Sequence, residues 1–510
     1  MKSGRWIGPG WGESCGRAAR RQGVLIGTIA LLAGGVTLFQ WTRPGLLFGE
    51  EPDISAYFGG AVRLVHGVLP YRDFVQVEPP GFQVLVSPLA LLTNFIGTRN
   101  GLALVRLLMV AVAVLNVVLV GRLVRTRGPT AVLVACGLTA LAPAVGYALH
   151  TVLLEPVVDL FCLLAAGLIF EGDSIASGRR LPAAGLALGF AVSIKVTALV
   201  IVVVIVGLCL FSSRRRAGMV IAGVAAGFLL PTLPFLAFAP AAFIRDVFGS
   251  QLGRVAGVGG APIALRLSEI TGSFAFTTSG AVAVAVAAVM AGIVAAAFTI
   301  RPRRLTSFEW FAVGSAVAAC AVQLIPTQYY SQYAAFTVPF IAIALGAALG
   351  RLRRPSVQRL GLRIASLALA VLLVNQLGQM RIEGAPDIQA TVDAVIPAGA
   401  CAVADSPNKL VTTDRFIASS PGCTTMTDSY GTELVLGRGS SAYLQTWRAA
   451  LAHADYFVGQ WPLSLDPGIR PYLDANFHAL KFGGLLFYIR AGLSAPTAPA
   501  PGYRAERGIH

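Results

Sequence analysis

Long runs of apolar residues alternate with short polar segments from the N-terminal region to about residue 380. A run of about twenty apolar residues can cross the hydrocarbon core of a bilayer, which is about 30 Å thick. Runs such as 281–300, AVAVAVAAVMAGIVAAAFTI, lack the alternation of polar and apolar residues that is typical of membrane barrel strands. Because lipid offers no hydrogen-bond partner to the backbone, such runs must form helices. The pattern therefore predicts an all-α, polytopic membrane protein.

Arginines concentrate in the segments between the apolar runs, the distribution expected of cytoplasmic loops. With these loops inside, the pattern predicts eleven spans, residues 1–23 in the cytoplasm and the C-terminus outside the cell membrane. No cleavage pattern follows the first run, which favours an uncleaved span over a signal peptide. The predicted spans are about 24–40, 102–121, 130–148, 153–170, two within 182–211, 218–239, 281–300, 308–325, 334–350 and 364–380.

Two apolar segments do not fit a single straight span. The run 81–97 is short and interrupted by Pro88, and a crossing here would leave Arg122 outside, so we expect a helix on the outer membrane surface. The run 182–211 is too long for one crossing and contains Lys195 near its middle. Because a charge is unfavourable at the bilayer centre, we expect two short spans that meet at an outer turn, with Lys195 at the external surface.

The composition changes after the membrane domain (24–380, with its first outer loop at 41–101). Residues 381–490 contain short strand-like pieces between turn residues, which predicts a small extracytoplasmic α/β domain. Cys401 and Cys423 lie in this domain, and an oxidising compartment favours a disulfide between them. Without nearby histidines they make a poor zinc site. The Pro/Ala-rich tail, 491–510, is predicted to be disordered.

The charge balance excludes one class of function. Hydrophobic residues make up 55% of the chain, charged residues make up 13%, and the net charge is +16. A nucleic-acid-binding protein would carry its basic residues on one domain face. Here they lie between predicted spans, so nucleic acid is not an expected partner and the lipid bilayer is.

Acidic residues cluster in the polar segment after the first span: Glu50, Glu51, Asp53, Asp73 and Glu78. A hydrated loop would explain any one of them. Asp53 precedes Tyr57 by four residues, which suits one face of a helix, and Asp53 could equally cap that helix. Further polar residues recur at predicted outer positions, namely His150, Glu155, Lys195 and the segment 328–333, QYYSQY.

This ordered set of motifs resembles the GT-C superfamily of polytopic glycosyltransferases, which use polyprenyl-phosphate-linked sugars. Asp53-x-x-x-Tyr57, the segment 67–74 (GVLPYRDF) and Pro79-Pro80-Gly81 resemble the first outer loop of that superfamily. The segment 185–199, GLALGFAVSIKVTAL, resembles its span with a lysine near the outer end. The turn 327–333 and the pieces ACAVADSPN and ADYFVG resemble members of the family-87-like, family-39-like and actinobacterial arabinofuranosyltransferase branches.

The resemblance implies that an acceptor hydroxyl attacks the anomeric carbon of a polyprenyl-phosphate sugar, with Asp53 as general base. Glu50 and Glu51 would act on Asp53 by like-charge repulsion or bind sugar hydroxyls. Asp73 and Glu78 are the second-choice acids. A fixed cation would stabilise the leaving phosphate, and the candidates are Lys195, then Arg254 and Arg266. The other candidate substrate-binding residues are Tyr57, His150, Glu155, Gln328, Tyr329 and Tyr330.

Each of these residues also has a structural explanation. Lys195 could be a snorkelling side chain near a helix end. Glu155, followed by Pro156, could cap a span. His150 could simply be solvated, and the tyrosines could form an interfacial belt, although aromatic rings also stack on sugars. No regular ligand spacing predicts a metal, so no cofactor is expected, although a divalent cation is compatible with the paired carboxylates.

The predicted activity is transfer of a sugar, most simply mannose or arabinofuranose, to an envelope glycan, lipid or protein on the outer face. A transporter or flippase for lipid-linked sugars is one alternative, but it would place polar groups along several spans and show repeated halves. Here the polar residues gather at one membrane face. A non-enzymatic envelope assembly protein is the other alternative, and dispensable first-loop acids would indicate it.

Overall fold

The computed structural model describes residues 10–41, 52–251, 260–299, 304–326, 328–352, 354–379, 387–420, 422–423, 426–460 and 466–493. Glu50, Glu51 and Arg254 lie outside the described residues, as do residues 1–9 and the predicted tail from 494 onward. The described chain is helical up to Gln379 apart from one short hairpin, and a small sheet follows near the C-terminus.

The helices of the membrane part have the following bounds: α1 Gly10–Gln40, α2 Gly60–Val65, α3 Gly81–Leu91, α4 Thr93–Val124, α5 Pro129–Leu141, α6 Pro143–His150, α7 Glu155–Ile169, α8 Arg180–Ile194, α9 Leu199–Ser212, α10 Arg214–Phe238, α11 Pro240–Phe243, α12 Ile263–Thr271, α13 Gly280–Thr299, α14 Ser307–Leu324, α15 Tyr333–Arg351 and α16 Pro355–Gln379. Two π-helical turns precede α2 and follow α11, at Ser55–Gly59 and Ile244–Gly249. A hairpin of β1 (Phe170–Glu171) and β2 (Ser174–Ile175), which the hydropathy pattern did not predict, joins α7 to α8.

Among the described residues, seven helices are long and apolar enough to cross a membrane, and α5 with α6 forms an eighth candidate bent by 45°. The protein is therefore a multi-pass, all-α membrane protein, as predicted. Helices α7, α8 and α9 have 15, 15 and 14 residues. At about 1.5 Å per residue they are shorter than a straight span. The predicted total of eleven spans therefore stays a prediction.

Three predicted boundaries are wrong. The run 130–148 is two helices instead of one, because proline at position 143 has no N–H to continue the helix. The surface helix predicted over 81–97 ends at Leu91, and Gly97 then kinks the first turns of α4 with a φ of 82°. The last span begins at Pro355, well before the predicted start at 364. Helix α3 has 11 residues and is too short to span, in agreement with the prediction.

Glycines bring α8 and α10 into backbone contact. Gly185 and Gly189 of α8 lie against α10, where Gly223 and Gly227 face them. A Cβ atom built on Gly189 would lie 2.1 Å from the carbonyl oxygen of Val224, which is shorter than any allowed contact. Small residues spaced by four allow this close approach between helices in lipid. The contact holds the end of α8, and with it Lys195, in a defined position.

We expect Gly189→Leu to lower the melting temperature of the purified protein by several degrees, because overpacking a close contact costs about 1–3 kcal/mol. The matched control is Gly218→Leu on α10, since a Cβ at Gly218 would meet no atom within 4 Å. Equal melting temperatures for the two variants would contradict the close packing of α8 against α10.

Residues 52–80, named the outer segment after the location predicted from the sequence, dock with the start of α3 onto the end of α8. A Cβ on Gly81, at the start of α3, would lie 2.6 Å from the carbonyl oxygen of Ser193, so only glycine allows this approach. Gln83 of α3 donates to the carbonyl oxygen of Ala56 at 3.1 Å and to Gln76 Oε1 at 2.8 Å. These contacts fix the helix that carries Asp53 and Tyr57 beside Lys195.

The C-terminal region is a small α/β domain, as predicted. Its sheet has the order β3-β4-β6-β5, in which β3 pairs parallel with β4 and the other pairs are antiparallel. The predicted disulfide joins Cys401 to Cys423. The elements are α17 Gln389–Asp393, β3 Ala402–Ala404, α18 Asn408–Val411, α19 Ser429–Leu436, α20 Ser441–Ala452, β4 Tyr456–Gln460, α21 Arg470–Asn476, β5 Phe477–Phe482 and β6 Leu485–Arg490.

This domain packs directly on the helices that follow Asp53 and on the start of α4. Phe416 fills the space over Gly59, where an added Cβ would lie 3.0 Å from its ring, and the guanidinium of Arg63 lies 4.9 Å from the same ring centre. Asp414 accepts the backbone N–H of Arg99 at 2.8 Å, at the kink of α4. The domain therefore has a fixed position over the end of the bundle.

Candidate active site

A cavity of about 270 Å³ lies between the outer segment, the helix ends of the bundle and the C-terminal domain. Five of the candidate residues from the sequence meet here, namely Asp53, Tyr57, Glu78, Lys195 and Tyr330. Its lining residues are Pro52, Asp53, Ala56, Tyr57, Val77, Glu78, Tyr147, Lys195, Tyr330, Gln332, Tyr333, Asp428 and Tyr430.

Asp53 begins the helical segment that follows Pro52 and is half-buried at the cavity wall. The hydroxyl of Tyr57, one helical turn later, donates to Asp53 Oδ2 at 3.5 Å. The two side chains therefore share one helix face, as their spacing predicted. Tyr57 is itself buried and packs edge-on against Phe82, with ring centres 6.1 Å apart.

Burial raises the pKa of Tyr57 well above its ordinary value, and the nearby carboxylates of Asp53 and Glu78 raise it further. The phenol therefore keeps its proton and remains a hydrogen-bond donor toward Asp53. Glu78 is buried at the same wall, and its backbone carbonyl accepts the Tyr71 hydroxyl at 2.7 Å. The structure thus brings two acids, Asp53 and Glu78, to one cavity.

Lys195 lies in the break between α8 and α9, where its backbone is extended. Its ammonium group pairs with Glu155 Oε1 at 2.6 Å and lies 4.5 Å from the ring centre of Tyr333. The side chains of Lys195 and Glu155 are only 6% and 3% exposed. The predicted turn is present and carries Lys195, whose position on the external side of the membrane stays a prediction. Burial of the Lys195 side chain excludes a snorkelling lysine, because its charge is held inside by Glu155.

The C-terminal domain supplies one wall of the cavity. Asp428 caps α19 by accepting the backbone N–H of Gly431 at 2.7 Å, and it faces the cavity from that position. The hydroxyls of Tyr430 and Tyr330 are hydrogen-bonded, and their rings meet edge to face. Tyr330 and Tyr333 also pack edge to face, at 5.5 Å between ring centres. Three tyrosine rings from two parts of the chain therefore border the space beside Lys195.

Asp73 does not line this cavity. It forms an ion pair with Arg72 at 2.7 Å and accepts the backbone N–H of Leu69 at 2.7 Å. The hydrogen bond from Arg72 lowers the pKa of Asp73 below its ordinary value. These contacts stabilise the turn at residues 69–73, so Asp73 has a structural role outside the cavity.

His150 also lies away from the cavity. Its ring stacks on Trp41 with 6.1 Å between ring centres, and Trp41 Nε1 donates to the His150 carbonyl oxygen at 3.2 Å. The histidine therefore ties the end of α6 to the end of α1.

Arg266, Gln328 and Tyr329 lie next to the cavity but outside its lining. Arg266 is buried, donates to the carbonyl oxygens of Ala261 at 2.9 Å and Gln323 at 3.0 Å, and stacks on Tyr329. Burial, with the nearby Glu269 carboxylate, raises the pKa of Tyr329 above its ordinary value. Arg266 therefore fastens the outer turn to α12 and is not positioned to meet a phosphate in the cavity.

The sequence did not identify several lining residues as candidates. Tyr147, Asp428 and Tyr430 come from segments with no motif of their own, and Gln332 and Tyr333 were noticed only as part of the tyrosine-rich turn 327–333. A tyrosine-rich segment was a usable signal for Tyr333, whereas nothing local pointed to Asp428. Within the described residues, no three metal-ligating side chains lie together.

The fold resembles those of solved membrane enzymes. ArnT from Cupriavidus metallidurans bound to undecaprenyl phosphate matches with a TM-score of 0.62 and 14% identity over 94% of this chain and 99% of ArnT. Apo ArnT matches with a TM-score of 0.58 and 13% identity over 92% of this chain and 98% of ArnT. The archaeal oligosaccharyltransferase AglB from Archaeoglobus fulgidus, in complex with an inhibitory peptide and a dolichol-phosphate, matches at 0.51 and 12% identity over 91% of this chain and 74% of AglB.

No protein-family model and no curated protein matches the sequence. At these low identities the structural similarity establishes the fold and nothing finer. The chain has the GT-C fold, which confirms the resemblance seen in its motifs.

We expect Lys195→Met and Glu155→Leu each to lower the melting temperature sharply, because breaking a buried ion pair costs about 3–5 kcal/mol. The double variant should be more stable than either single one, since it removes both charges of the pair. Arg72→Gln is the control, because the Arg72–Asp73 pair is exposed to solvent. If the decrease in melting temperature of the double variant equals the sum of the decreases of the two single variants, the pairing of Lys195 with Glu155 is contradicted.

Proposed function

We propose that the protein is a membrane glycosyltransferase that moves a sugar from a polyprenyl-phosphate donor to an acceptor hydroxyl, with Asp53 as general base. The observation that carries the proposal is that Asp53 and the buried cation Lys195 line the same small cavity. The GT-C fold supports it, because the similar structures ArnT and AglB were solved with undecaprenyl phosphate and a dolichol-phosphate.

The reaction needs a base because a hydroxyl is a poor nucleophile near neutral pH. Asp53 is half-buried, so it is accessible to an acceptor, and the Tyr57 hydroxyl orients its Oδ2 atom. Glu78 lines the same wall and is the second candidate. Both acids lie on the outer segment, so an acceptor that enters between this segment and the C-terminal domain would meet either one.

The departing phosphate needs a positive charge close to it. The Lys195 ammonium has three N–H donors, and Glu155 Oε1 accepts one of them. A phosphate oxygen could therefore bind Lys195 without displacing Glu155, which would hold the ammonium in place. Arg254 lies outside the described residues and stays a second candidate for the same role.

The size and walls of the cavity suit a single sugar residue. Its volume, about 270 Å³, is near the lower limit of small-molecule pockets, about 300–1,000 Å³. The tyrosine rings at positions 330, 333 and 430 offer faces on which a pyranose or furanose ring can stack. We propose mannose or arabinofuranose as the sugar and an envelope glycan, lipid or protein as the acceptor.

Membranes that contain the wild-type protein should transfer label from one member of a panel of radiolabelled polyprenyl-phosphate sugars. In Asp53→Asn the transfer should fall about 10²- to 10⁴-fold, because the base is lost. Asp73→Asn is the matched control, since it removes a carboxylate from the same segment outside the cavity, and it should keep at least half of the activity.

Equal transfer by Asp53→Asn and wild type would exclude Asp53 as the base and leave Glu78 as the candidate base. No transfer from any donor, with normally folded protein, would contradict the enzymatic proposal and favour a transporter of lipid-linked sugars.

Tyr430→Phe tests the contribution of the C-terminal domain. The change removes the hydroxyl that contacts Tyr330, so we expect KM for the donor or acceptor to rise about 2- to 10-fold, the effect of one lost hydrogen bond. Tyr472→Phe makes the same change in the same domain outside the cavity and should leave KM unaltered. An unchanged KM in Tyr430→Phe would show that the Tyr430 hydroxyl does not contribute to substrate binding.

A further inference from the structure

A second, larger cavity of about 650 Å³ lies at the opposite end of the helix bundle. It is bordered by the end of α4, the end of α7, the β1–β2 hairpin and the starts of α8 and α14. Helices α7 and α8 connect the two ends, since Glu155 and Lys195 lie near the candidate active site while Leu168 and Arg180 lie at this cavity. We propose that this cavity binds an anionic phospholipid of the membrane leaflet on that side.

The charge of the lining is the first argument. It contains three arginines, Arg122, Arg125 and Arg180, and a single acid, Glu171. Glu171 is already engaged in an ion pair with Arg180. Arg122 and Arg125 are exposed, and no carboxylate within the described ranges pairs with either of them. The lining therefore carries net positive charge concentrated on two side chains that can bind a phosphate group.

Two neighbouring arginines, Arg127 and Arg351, differ from Arg122 and Arg125 because acidic residues pair with them. Arg127 pairs with Asp173 and with Glu309 Oε1 at 3.0 Å, and Arg351 pairs with Glu309 Oε2 at 2.7 Å. These two arginines are neutralised within the protein, and through Glu309 they join α14 to the end of α15 and to the turn after α4. Arg122 and Arg125, which are not neutralised in this way, are the ones that face the cavity.

The apolar part of the lining is the second argument, because it suits hydrocarbon chains. Leu119 and Leu123 of α4 lie opposite Leu164 and Leu168 of α7. Leu164 is 38% exposed, so part of this wall is open to its surroundings. Gly167 leaves additional room, since a Cβ built on it would meet no atom within 4 Å. An amphiphile with a phosphate head at the arginines and acyl chains along the leucines matches this arrangement.

The position of the cavity along the direction of the helices also agrees with a lipid ligand. The arginines lie at the ends of apolar helices, where headgroups are found. This is the end of the bundle that the arginine distribution predicts to be cytoplasmic, and basic pockets between helices on that side bind anionic headgroups. The inference does not depend on the proposed activity, because it concerns the opposite end of the molecule.

The test is to titrate the purified full-length protein in neutral detergent with dioleoylphosphatidylglycerol and, separately, with dioleoylphosphatidylcholine, and to count bound lipids by native mass spectrometry. The wild type should bind phosphatidylglycerol in preference to phosphatidylcholine. Arg122→Gln/Arg125→Gln should weaken phosphatidylglycerol binding about 10- to 30-fold, as expected for the loss of two basic residues near a headgroup.

Two further variants distinguish lipid binding at this cavity from a general attraction of anionic lipid to basic residues. Arg214→Gln/Arg215→Gln removes two exposed arginines from the same end of the bundle, outside the cavity lining, and should change binding less than 3-fold. Gly167→Leu fills the apolar wall and keeps every arginine, so it should weaken binding even if the arginine variant is poorly folded. Melting temperatures report the folding of each variant.

Three results would overturn the proposal. The first is no preference for phosphatidylglycerol over phosphatidylcholine. The second is an equal loss in both arginine double variants, which would indicate non-specific attraction. The third is displacement of the lipid by millimolar glycerol 3-phosphate, which would indicate a site for a soluble phosphate compound instead of a lipid.

Discussion

The buried ion pair between Lys195 and Glu155 determines how the end of the bundle that holds the candidate active site is arranged. Lys195 sits where α8 stops and Glu155 sits where α7 starts, so the pair joins two helix ends. A buried charge without its partner is strongly unfavourable, which means that neither residue can move away alone. A break in a helix at membrane depth is tolerated only where protein surrounds it. Glycine contacts to α10 and the approach of Gly81 provide that enclosure.

The candidate site is assembled from three parts of the chain that are far apart in sequence. The outer segment contributes Asp53, Tyr57 and Glu78, the bundle contributes Lys195, and the C-terminal domain contributes Asp428 and Tyr430. The domain is held over the bundle by Phe416 and Asp414, which contact the outer segment and the start of α4. Its docking therefore sets the size of the cavity as well as one of its walls.

The two ends of the bundle differ in chemistry. At the end of the candidate active site, acids, one lysine and several tyrosines enclose a small cavity, and the charges are largely buried. At the other end, arginines border a larger cavity whose walls are partly apolar. The first arrangement suits chemistry on a small polar group, and the second suits attachment to an anionic membrane surface. The arginine asymmetry that orients a membrane protein would thus also provide lipid contacts.

Most of the helices could be predicted from the sequence, because lipid forces apolar runs of sufficient length into helices whatever their neighbours are. The shared face of Asp53 and Tyr57 was equally predictable, since their spacing alone brings them together. The Arg72–Asp73 pair joins adjacent residues, so attention to Arg72 would have removed Asp73 from the candidates.

What only the tertiary structure decided is which distant groups meet. The buried pairing of Lys195 with Glu155 depends on how α7 and α8 pack against each other. Arg266 donates to backbone carbonyl oxygens, and because every residue has such an oxygen, the sequence cannot predict which ones it contacts. Asp428 and Tyr430 belong to the site only because their domain docks where it does. The sequence by itself determined most of the helices, the class of multi-pass membrane protein and which neighbouring side chains share a helix face. These features follow from transfer of apolar runs into lipid and from hydrogen bonds between residues close in sequence. Contacts between remote segments depend on shape and packing, so only the folded chain shows them.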